Sequence, residues 1–379
     1  MGKNSEYEDG VVSDYCFLNG REDARLSDVE RLTLLGGAGL NRLVNRLGKS
    51  LSNATLDAFA PGLDYNLLKR DHEKLLTLRA DGSLAKLFSD PGVELSASVV
   101  PIHGFPIGGV YDLEFHSTFP RDSWGIDPTY GDLAQNQTSF VRLWEHDRDV
   151  TGRKTIVAIH GWTMGDQRVN SLAFLPGLLF TLGFNVALLE LPFHGRRRPE
   201  AVTNQEPLFP NSDPIRTCVT MGHAINDLRV LARFLRSRGH GEFVSLGMSL
   251  GAYVGLLWAA LDKLNRGVFI VPLVSMGDMA FELSRRQSAK GAETTHGLSV
   301  EFLRDLFLDH FPLRPQPETS EEDILIVGGE GDHLVPRAQI ALLRERWPRA
   351  KVSWVPGGHG AAAQSRECFE VVHSFLGRD

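Results

Sequence analysis

The sequence predicts an α/β fold with a mostly parallel sheet and helices on both faces. Continuous apolar runs occur at 155–159, 185–191, 243–246, 268–274, 324–327 and 352–355. Strands that are buried on both faces have this composition. Helical segments such as 220–236 and 337–347 separate the runs. Buried strands that alternate with helices are typical of a parallel α/β sheet.

The part of the chain before these runs divides into two patterns. Residues 1–95 show helical periodicity without a strand pattern, so we expect an amino-terminal helical extension and place the main domain at 96–379. The segments 110–116 and 139–144 alternate partly between polar and apolar residues, which predicts the early strands of a mixed sheet.

A long connection separates the apolar run that ends near residue 274 from the run that starts at 324. It has about 49 residues, well beyond an ordinary connection between a helix and a strand. An amphipathic stretch lies within it, with apolar residues at Val300, Leu303, Leu306 and Phe307. We therefore expect a lid segment at 277–322.

Composition excludes several classes of function. A formal net charge of −7 does not support a generic nucleic-acid surface. The three cysteines, Cys16, Cys218 and Cys368, are too few for a disulfide framework and have no metal-like spacing. The amino terminus is polar and acidic, unlike a signal peptide. The apolar stretch 171–193 is broken by Pro176 and Glu190, which argues against a membrane span. We therefore expect a cytoplasmic protein without a membrane span. Neither a metal nor a cofactor is expected.

A glycine-flanked serine is the first candidate for chemistry. Residues 247–251 have the pattern Gly-x-Ser-x-Gly, with Ser249 at the centre, between the strand 243–246 and an apolar helix. This pattern is typical of a nucleophile elbow, a strained turn that exposes a serine at the carboxyl end of a strand.

A serine hydroxyl needs a base and a carboxylate that orients the base. Asp332 and His359 follow the runs 324–327 and 352–355, so both are expected near Ser249 at the edge of the sheet. Asp278, after the run 268–274, is the alternative acid, and Glu330 is a weaker one.

Three other histidines are interpreted from their positions in the sequence, and a metal site is judged from the spacing of possible ligands. His333, beside Asp332, is interpreted as a surface or site-wall residue rather than the base. His223 and His373 lie in predicted helices and are interpreted as core or surface histidines. No cluster of histidine, cysteine and aspartate has metal-ligand spacing.

The turn after the run 155–159 contains His160, Gly161 and Trp162. The backbone amide of Trp162, together with that of Leu250, is expected to form an oxyanion hole. A simple glycine turn is the alternative. His160 and Gly161 are further candidates for substrate contact.

The loop 192–199 also follows a strand end and carries Arg196 and Arg197. These arginines are candidates for binding a carboxylate or phosphate of an anionic substrate. Pairing with Glu200 or Glu206, or plain solvation, is the alternative.

These motifs resemble the α/β-hydrolase superfamily over roughly residues 100–379. The resemblance rests on His160-Gly161, the elbow at 247–251, Asp332 and His359. It implies an α/β-hydrolase fold with an eight-stranded sheet, a serine nucleophile and a lid after the sixth strand. A narrower likeness, to the α/β-hydrolase domain-containing 18 type, rests on residues 191–199, on Met221-Gly222 and on the helical amino-terminal segment.

Together the motifs predict a serine hydrolase that cleaves a small carboxylic ester, with thioesters or lactones as close variants. Ser249 is the expected nucleophile, His359 the base and Asp332 the acid. A serine peptidase or an acyltransferase with the same triad stays open, as does a binding scaffold without catalysis.

Overall fold

The structure of the protein is a computed structural model. It describes residues 65–93, 96–120, 125–127, 130, 134–199, 208–289, 298–314 and 317–377. The helices expected within 1–64, the residue Cys16 and the lid residues 290–297 and 315–316 lie outside the described residues, as do Glu200 and Glu206.

Within the described residues, one sheet of nine strands forms the centre of the fold. The strands are β1 (Ser98–Phe105), β2 (Gly108–His116), β3 (Thr138–His146), β4 (Lys154–Ile159), β5 (Asn185–Leu189), β6 (Glu242–Met248), β7 (Arg266–Ile270), β8 (Ile324–Gly329) and β9 (Lys351–Val355). Their order is β1-β2-β3-β5-β4-β6-β7-β8-β9. Strands β1 to β3 are antiparallel and β3 pairs antiparallel with β5, whereas β5, β4 and β6 to β9 are parallel. The predicted fold class is confirmed.

The expected count of eight strands is wrong by one, because β1 was not predicted. This strand lies at the edge of the sheet and is mostly exposed, so its residues show no alternation between a buried and a solvated face. Pro101 lies within it, and the register shifts between Pro101 and His103. Proline and irregular pairing are tolerated at a sheet edge, where they weaken the strand signal of the sequence.

Helices cover both faces of the sheet. They are α1 (Tyr65–Ala80), α2 (Ser83–Lys86), α3 (Gln167–Phe174), α4 (Pro176–Thr181), α5 (Pro214–Ser237), α6 (Leu250–Leu261), α7 (Met276–Ala289), α8 (Val300–Leu306), α9 (Arg337–Arg346), α10 (His359–Ala363) and α11 (Arg366–Leu376). The apolar stretch 171–193 forms the end of α3, then α4 and β5, and Pro176 begins α4.

Two apolar cores lie on opposite faces of the sheet. The larger is formed with α5, α6 and α9, and the smaller with α4 and α11. Leu68 and Leu75 of α1, together with Leu84 of α2, are buried in the larger core. The described part of the amino-terminal extension therefore shares its core with the sheet, and the domain boundary at residue 95 stays a prediction.

The described part of the lid segment consists of α7, α8 and a 3-10 turn at Leu308–His310. A Cβ added at Gly277 would lie 2.7 Å from backbone atoms of Arg304, so α7 and α8 cross closely at this glycine. Both α8 and the 3-10 turn are bonded to α1. Arg79 of α1 donates hydrogen bonds to the Asp309 carboxylate in the turn at 2.8 and 2.9 Å, and His72 of α1 bonds to Asp305 in α8. The described part of the lid segment is thus in direct contact with the amino-terminal helix α1.

Candidate active site

Ser249 lies in the turn between β6 and α6, with φ 56° and ψ −114°. A non-glycine residue rarely adopts this conformation, and it is typical of functional turns. A Cβ added at Gly251 would lie 2.0 Å from the Ile159 carbonyl oxygen, and one at Gly247 would lie 2.4 Å from the Gly251 carbonyl oxygen. Both positions therefore require glycine, since the turn packs directly against the backbone of β4 and of α6.

A continuous chain of hydrogen bonds runs from Ser249 to a buried carboxylate. The hydroxyl of Ser249 lies 2.9 Å from Nε2 of His359, and Nδ1 of His359 lies 2.7 Å from Oδ2 of Asp332. The backbone amides of Leu334 and Val335 each donate to Oδ1 of Asp332 at 2.9 Å. Because Asp332 accepts from Nδ1–H, Nε2 is left to accept the proton of the serine hydroxyl.

The three side chains come from the carboxyl ends of β6, β8 and β9, at one edge of the sheet. The side chain of Asp332 is 4% exposed and that of His359 is 20% exposed. The carboxylate is thus shielded while the imidazole and the hydroxyl can be reached from solvent. The structure brings together the serine, aspartate and histidine that the sequence singled out.

Asp278, the alternative acid, is engaged elsewhere. Its carboxylate pairs with Arg304 at 2.7 Å and accepts a hydrogen bond from Ser275. Burial acts to raise the pKa of Asp278, but the bonds from Arg304 and Ser275 outweigh it and lower the pKa below its usual value. The carboxylate of Asp278 is therefore bonded to Arg304 of the lid segment and to Ser275 just before it, whereas His359 is oriented by Asp332.

The remaining histidines have the kinds of environment expected for them. His223 is fully buried, and its ring nitrogens bond to the Tyr130 hydroxyl at 2.9 Å and the Ser117 hydroxyl at 2.8 Å. His373 is exposed on α11, and His333 is exposed beside Asp332.

The turn after β4 lies against the elbow. A Cβ added at Gly161 would be 3.4 Å from Cβ of Ser249, so the backbone passes directly beside the nucleophile candidate. Leu250 is the first residue of α6, where an amide has no partner within its helix. The amides of Leu250 and Trp162 thus belong to the two backbone segments that flank the hydroxyl.

His160 supports this turn rather than facing a substrate, which corrects the expectation of a substrate contact. The ring is 1% exposed, Nδ1 donates to the Gly161 carbonyl at 2.9 Å, and the Leu191 amide donates to Nε2 at 3.0 Å. Burial, with a smaller contribution from nearby His194, lowers the pKa of His160 to about 3. A neutral imidazole therefore connects the turn after β4 to the end of β5.

The two arginines expected to bind an anionic substrate are also held by the protein. Arg197 is fully buried, with its guanidinium 2.8 Å from the Asp227 carboxylate and 3.0 Å from the Glu190 carbonyl oxygen. Arg196 pairs with the Glu190 carboxylate at 2.9 Å and lies over the Phe140 ring at 4.0 Å. The substrate contact predicted for Arg197 is wrong, whereas the contact predicted for Arg196, whose side chain is 38% exposed, stays a prediction.

Glu190 and Asp227 are the buried carboxylates that the sequence reasoning did not assign to this loop. Glu190 is 1% exposed and also accepts a hydrogen bond from the Arg196 amide at 3.0 Å. Asp227 is fully buried and accepts bonds from Ser117 and Ser139. A lone carboxylate at the end of an apolar run, as at Glu190, is the signal that could have identified it.

No group of three or more histidine, cysteine, aspartate or glutamate side chains that could hold a metal ion occurs in the described part of the chain. Among the helices of the described residues, none has the length and apolar character needed to cross a membrane.

The sequence profile of the Alpha/beta hydrolase family matches residues 156–371. The chain is also similar to two uncharacterized proteins of Mycobacterium tuberculosis strains, with 28% identity over 245 residues. This match covers 64% of the chain and 57% of each relative, so the chain spans less than two thirds of their length. Acetyl xylan esterase 1 from Thermoanaerobacterium sp. is similar in fold, with a TM-score of 0.53, 14% identity, and coverage of 78% of this chain and 92% of that one.

Proposed function

Because the chain belongs to the alpha/beta hydrolase family, we propose that it is a serine hydrolase that cleaves a small carboxylic ester. Thioesters and lactones are close variants, since they present the same kind of carbonyl carbon. The observation that supports this proposal most is the unbroken hydrogen-bond chain from Ser249 through His359 to Asp332.

In the proposed reaction Ser249 Oγ attacks the ester carbonyl carbon while Nε2 of His359 takes the hydroxyl proton. Asp332 holds the imidazole in the required tautomer and stabilises the imidazolium. The tetrahedral oxyanion is bound by the amides of Leu250 and Trp162. His359 then gives its proton to the leaving alcohol as the carbon–oxygen bond breaks. Water, activated by the same imidazole, releases the acid and restores Ser249.

The shielded carboxylate favours catalysis over a scaffold that only binds. A carboxylate that is 4% exposed and accepts two backbone amides is fixed in place, which preorganises the base. The likeness to the α/β-hydrolase domain-containing 18 type, supported by the loop 191–199, and a cytoplasmic location are part of this proposal.

Hydrolysis of p-nitrophenyl esters of increasing acyl length tests the proposal with the full chain. We expect turnover by wild type and loss of about 10³-fold or more in kcat for His359→Ala. The matched control is His373→Ala, which changes an exposed histidine on α11 and is expected to keep wild-type kcat.

Two further substrates separate the remaining alternatives. Cleavage of a matched p-nitroanilide at a rate comparable to the ester indicates a peptidase, whereas transfer of the acyl group to an added alcohol in preference to water indicates an acyltransferase. If no ester, thioester or lactone is turned over and both histidine variants behave like wild type, the proposed function is wrong.

A further inference from the structure

A cavity of about 680 Å³ lies between the amino-terminal helices, the lid segment and the helices beside the sheet. Its walls come from α2, the end of α6, the start of α7, the stretch 304–314 and α9. None of its lining residues belongs to the triad or to the turn after β4. The volume is within the range of small-molecule sites, which often form where separate parts of a fold meet.

The cavity lining combines apolar side chains, together called the apolar wall, with charged ones. The apolar side chains include Leu84, Phe88, Leu261, Phe311, Leu313 and Leu342. The charged lining has four arginines, at 79, 304, 314 and 346, and two carboxylates, at 278 and 309. Two of the arginines are neutralised locally, since Arg79 pairs with Asp309 and Arg304 pairs with Asp278.

The other two arginines keep unused charge and hydrogen-bond donors. Nε of Arg314 is buried without a hydrogen-bond partner among the described residues, and Nη2 makes a long bond of 3.4 Å to the Asp309 carbonyl oxygen. Arg346 is exposed on the last turn of α9 and has no ion pair within the described part of the chain. A guanidinium group without an ion-pair partner favours a ligand that carries a negative charge and accepts its hydrogen bonds.

We propose that this cavity binds a small amphipathic anion, with its carboxylate or phosphate group at Arg314 and Arg346 and its alkyl chain along the apolar wall. An acidic head group lies between the guanidinium groups of Arg314 and Arg346, which both line the cavity. An alkyl chain displaces water from Leu84, Phe88 and Leu313, which is favourable for apolar surface. A neutral ligand of the same length gains only the second contribution.

Calorimetric titration of the full chain with decanoate and with decyl phosphate, below their micelle concentrations and at low salt, tests the proposal. The Ser249→Ala variant is used so that binding is measured independently of any hydrolysis. We expect saturable binding of one ligand per chain, and binding of decanol weaker by roughly tenfold or more. Equal affinity for decanol and decanoate would overturn the assignment of an anion.

Substitutions of residues that line the cavity test whether the ligand binds there. Arg314→Gln and Arg346→Gln are each expected to weaken decanoate binding by roughly tenfold. Leu342→Trp, which adds a ring to the apolar wall, is expected to abolish it. Arg344→Gln is the matched control, because Arg344 is exposed on the same helix and does not line the cavity. Unchanged affinity in all these variants, or no saturable binding to the parent chain, would overturn the proposal. If Arg314→Gln does not fold, the variants at 342 and 346 still decide.

Discussion

The Asp332→Asn substitution tests the orientation of His359 with almost no change in side-chain shape. In the structure Oδ1 of Asp332 accepts two backbone amides at 2.9 Å and Oδ2 accepts Nδ1–H of His359 at 2.7 Å. The two amide bonds will keep the asparagine oxygen in the place of Oδ1, so the NH2 group must face His359. The imidazole then has to accept at Nδ1 and carry its proton on Nε2. In this tautomer it cannot take the proton of Ser249.

The expected loss follows from the wrong tautomer. A comparable change in a serine triad lowers kcat by about 10⁴, so we expect a drop of about 10³ to 10⁴, which corresponds to about 4 to 5.5 kcal/mol of transition-state stabilisation. The assay is steady-state hydrolysis of the best p-nitrophenyl ester, with kcat and KM determined separately. KM is expected to change little, because Asp332 lies behind the histidine and does not line the ester-binding side.

The matched control is Asp278→Asn, which changes the other carboxylate that the sequence offered as the acid. Asp278 bonds to Arg304 and Ser275, so this variant is expected to keep kcat within about threefold of wild type. Both variants are compared by thermal unfolding to exclude a loss of folding. Wild-type kcat in Asp332→Asn, or loss of activity in Asp278→Asn instead, would show that Asp332 does not orient His359.

The remaining predictions concern the framework of the site. Gly251→Ala is expected to destabilise the fold by about 3 kcal/mol or more in urea unfolding, because its Cβ would lie 2.0 Å from a strand carbonyl oxygen. Gly241→Ala is the control and is expected to be tolerated, since its Cβ would lie 3.7 Å from the nearest atom. Arg197→Met is expected to lower the free energy of unfolding by about 3 to 5 kcal/mol, since it leaves the Asp227 carboxylate buried without its ion-pair partner. Unchanged stability together with an altered preference between charged and neutral esters would contradict this prediction. Burial lowers the pKa of His310 to about 4, so the unfolded chain binds a proton that the folded chain does not as the pH falls from about 6.5. On going from pH 7 to pH 5, the free energy of unfolding of wild type is therefore expected to fall by about 2 kcal/mol more than that of His310→Leu, as measured by urea unfolding. Equal losses in the two proteins would contradict this prediction.

The features that the sequence predicted correctly are those written in short, local patterns. Buried parallel strands are continuous apolar runs, and the elbow around Ser249 needs glycine on both sides for steric reasons that act within a few residues. Asp332 and His359 could be proposed because the carboxyl ends of parallel strands meet at one edge. The sequence favoured Asp332 and kept Asp278 as the alternative, since both follow a strand and only the three-dimensional distances to His359 distinguish them.

The errors come from burial, which depends on distant parts of the chain. Arg197 follows a strand end among other polar residues, so its sequence context resembles a solvated loop. Its partner Asp227 is 30 positions away in the middle of α5, and no local pattern marks that pair. His160 was misassigned for the same reason, because its bond to the Leu191 amide crosses between strands. Strand β1 was missed because an exposed edge requires no buried face.

Covalent labelling of the full chain with a fluorophosphonate, followed by mass spectrometry of the intact protein and its peptides, is a direct test of whether Ser249 is the nucleophile. We expect one phosphonyl group per chain, located on Ser249, and no labelling of the Ser249→Ala variant. Ser237→Ala, which changes an exposed serine at the end of α5, is the matched control and should label like wild type. Wild-type protein that stays unlabelled, or that is labelled at another residue while Ser249→Ala reacts equally, would contradict a catalytic role for Ser249.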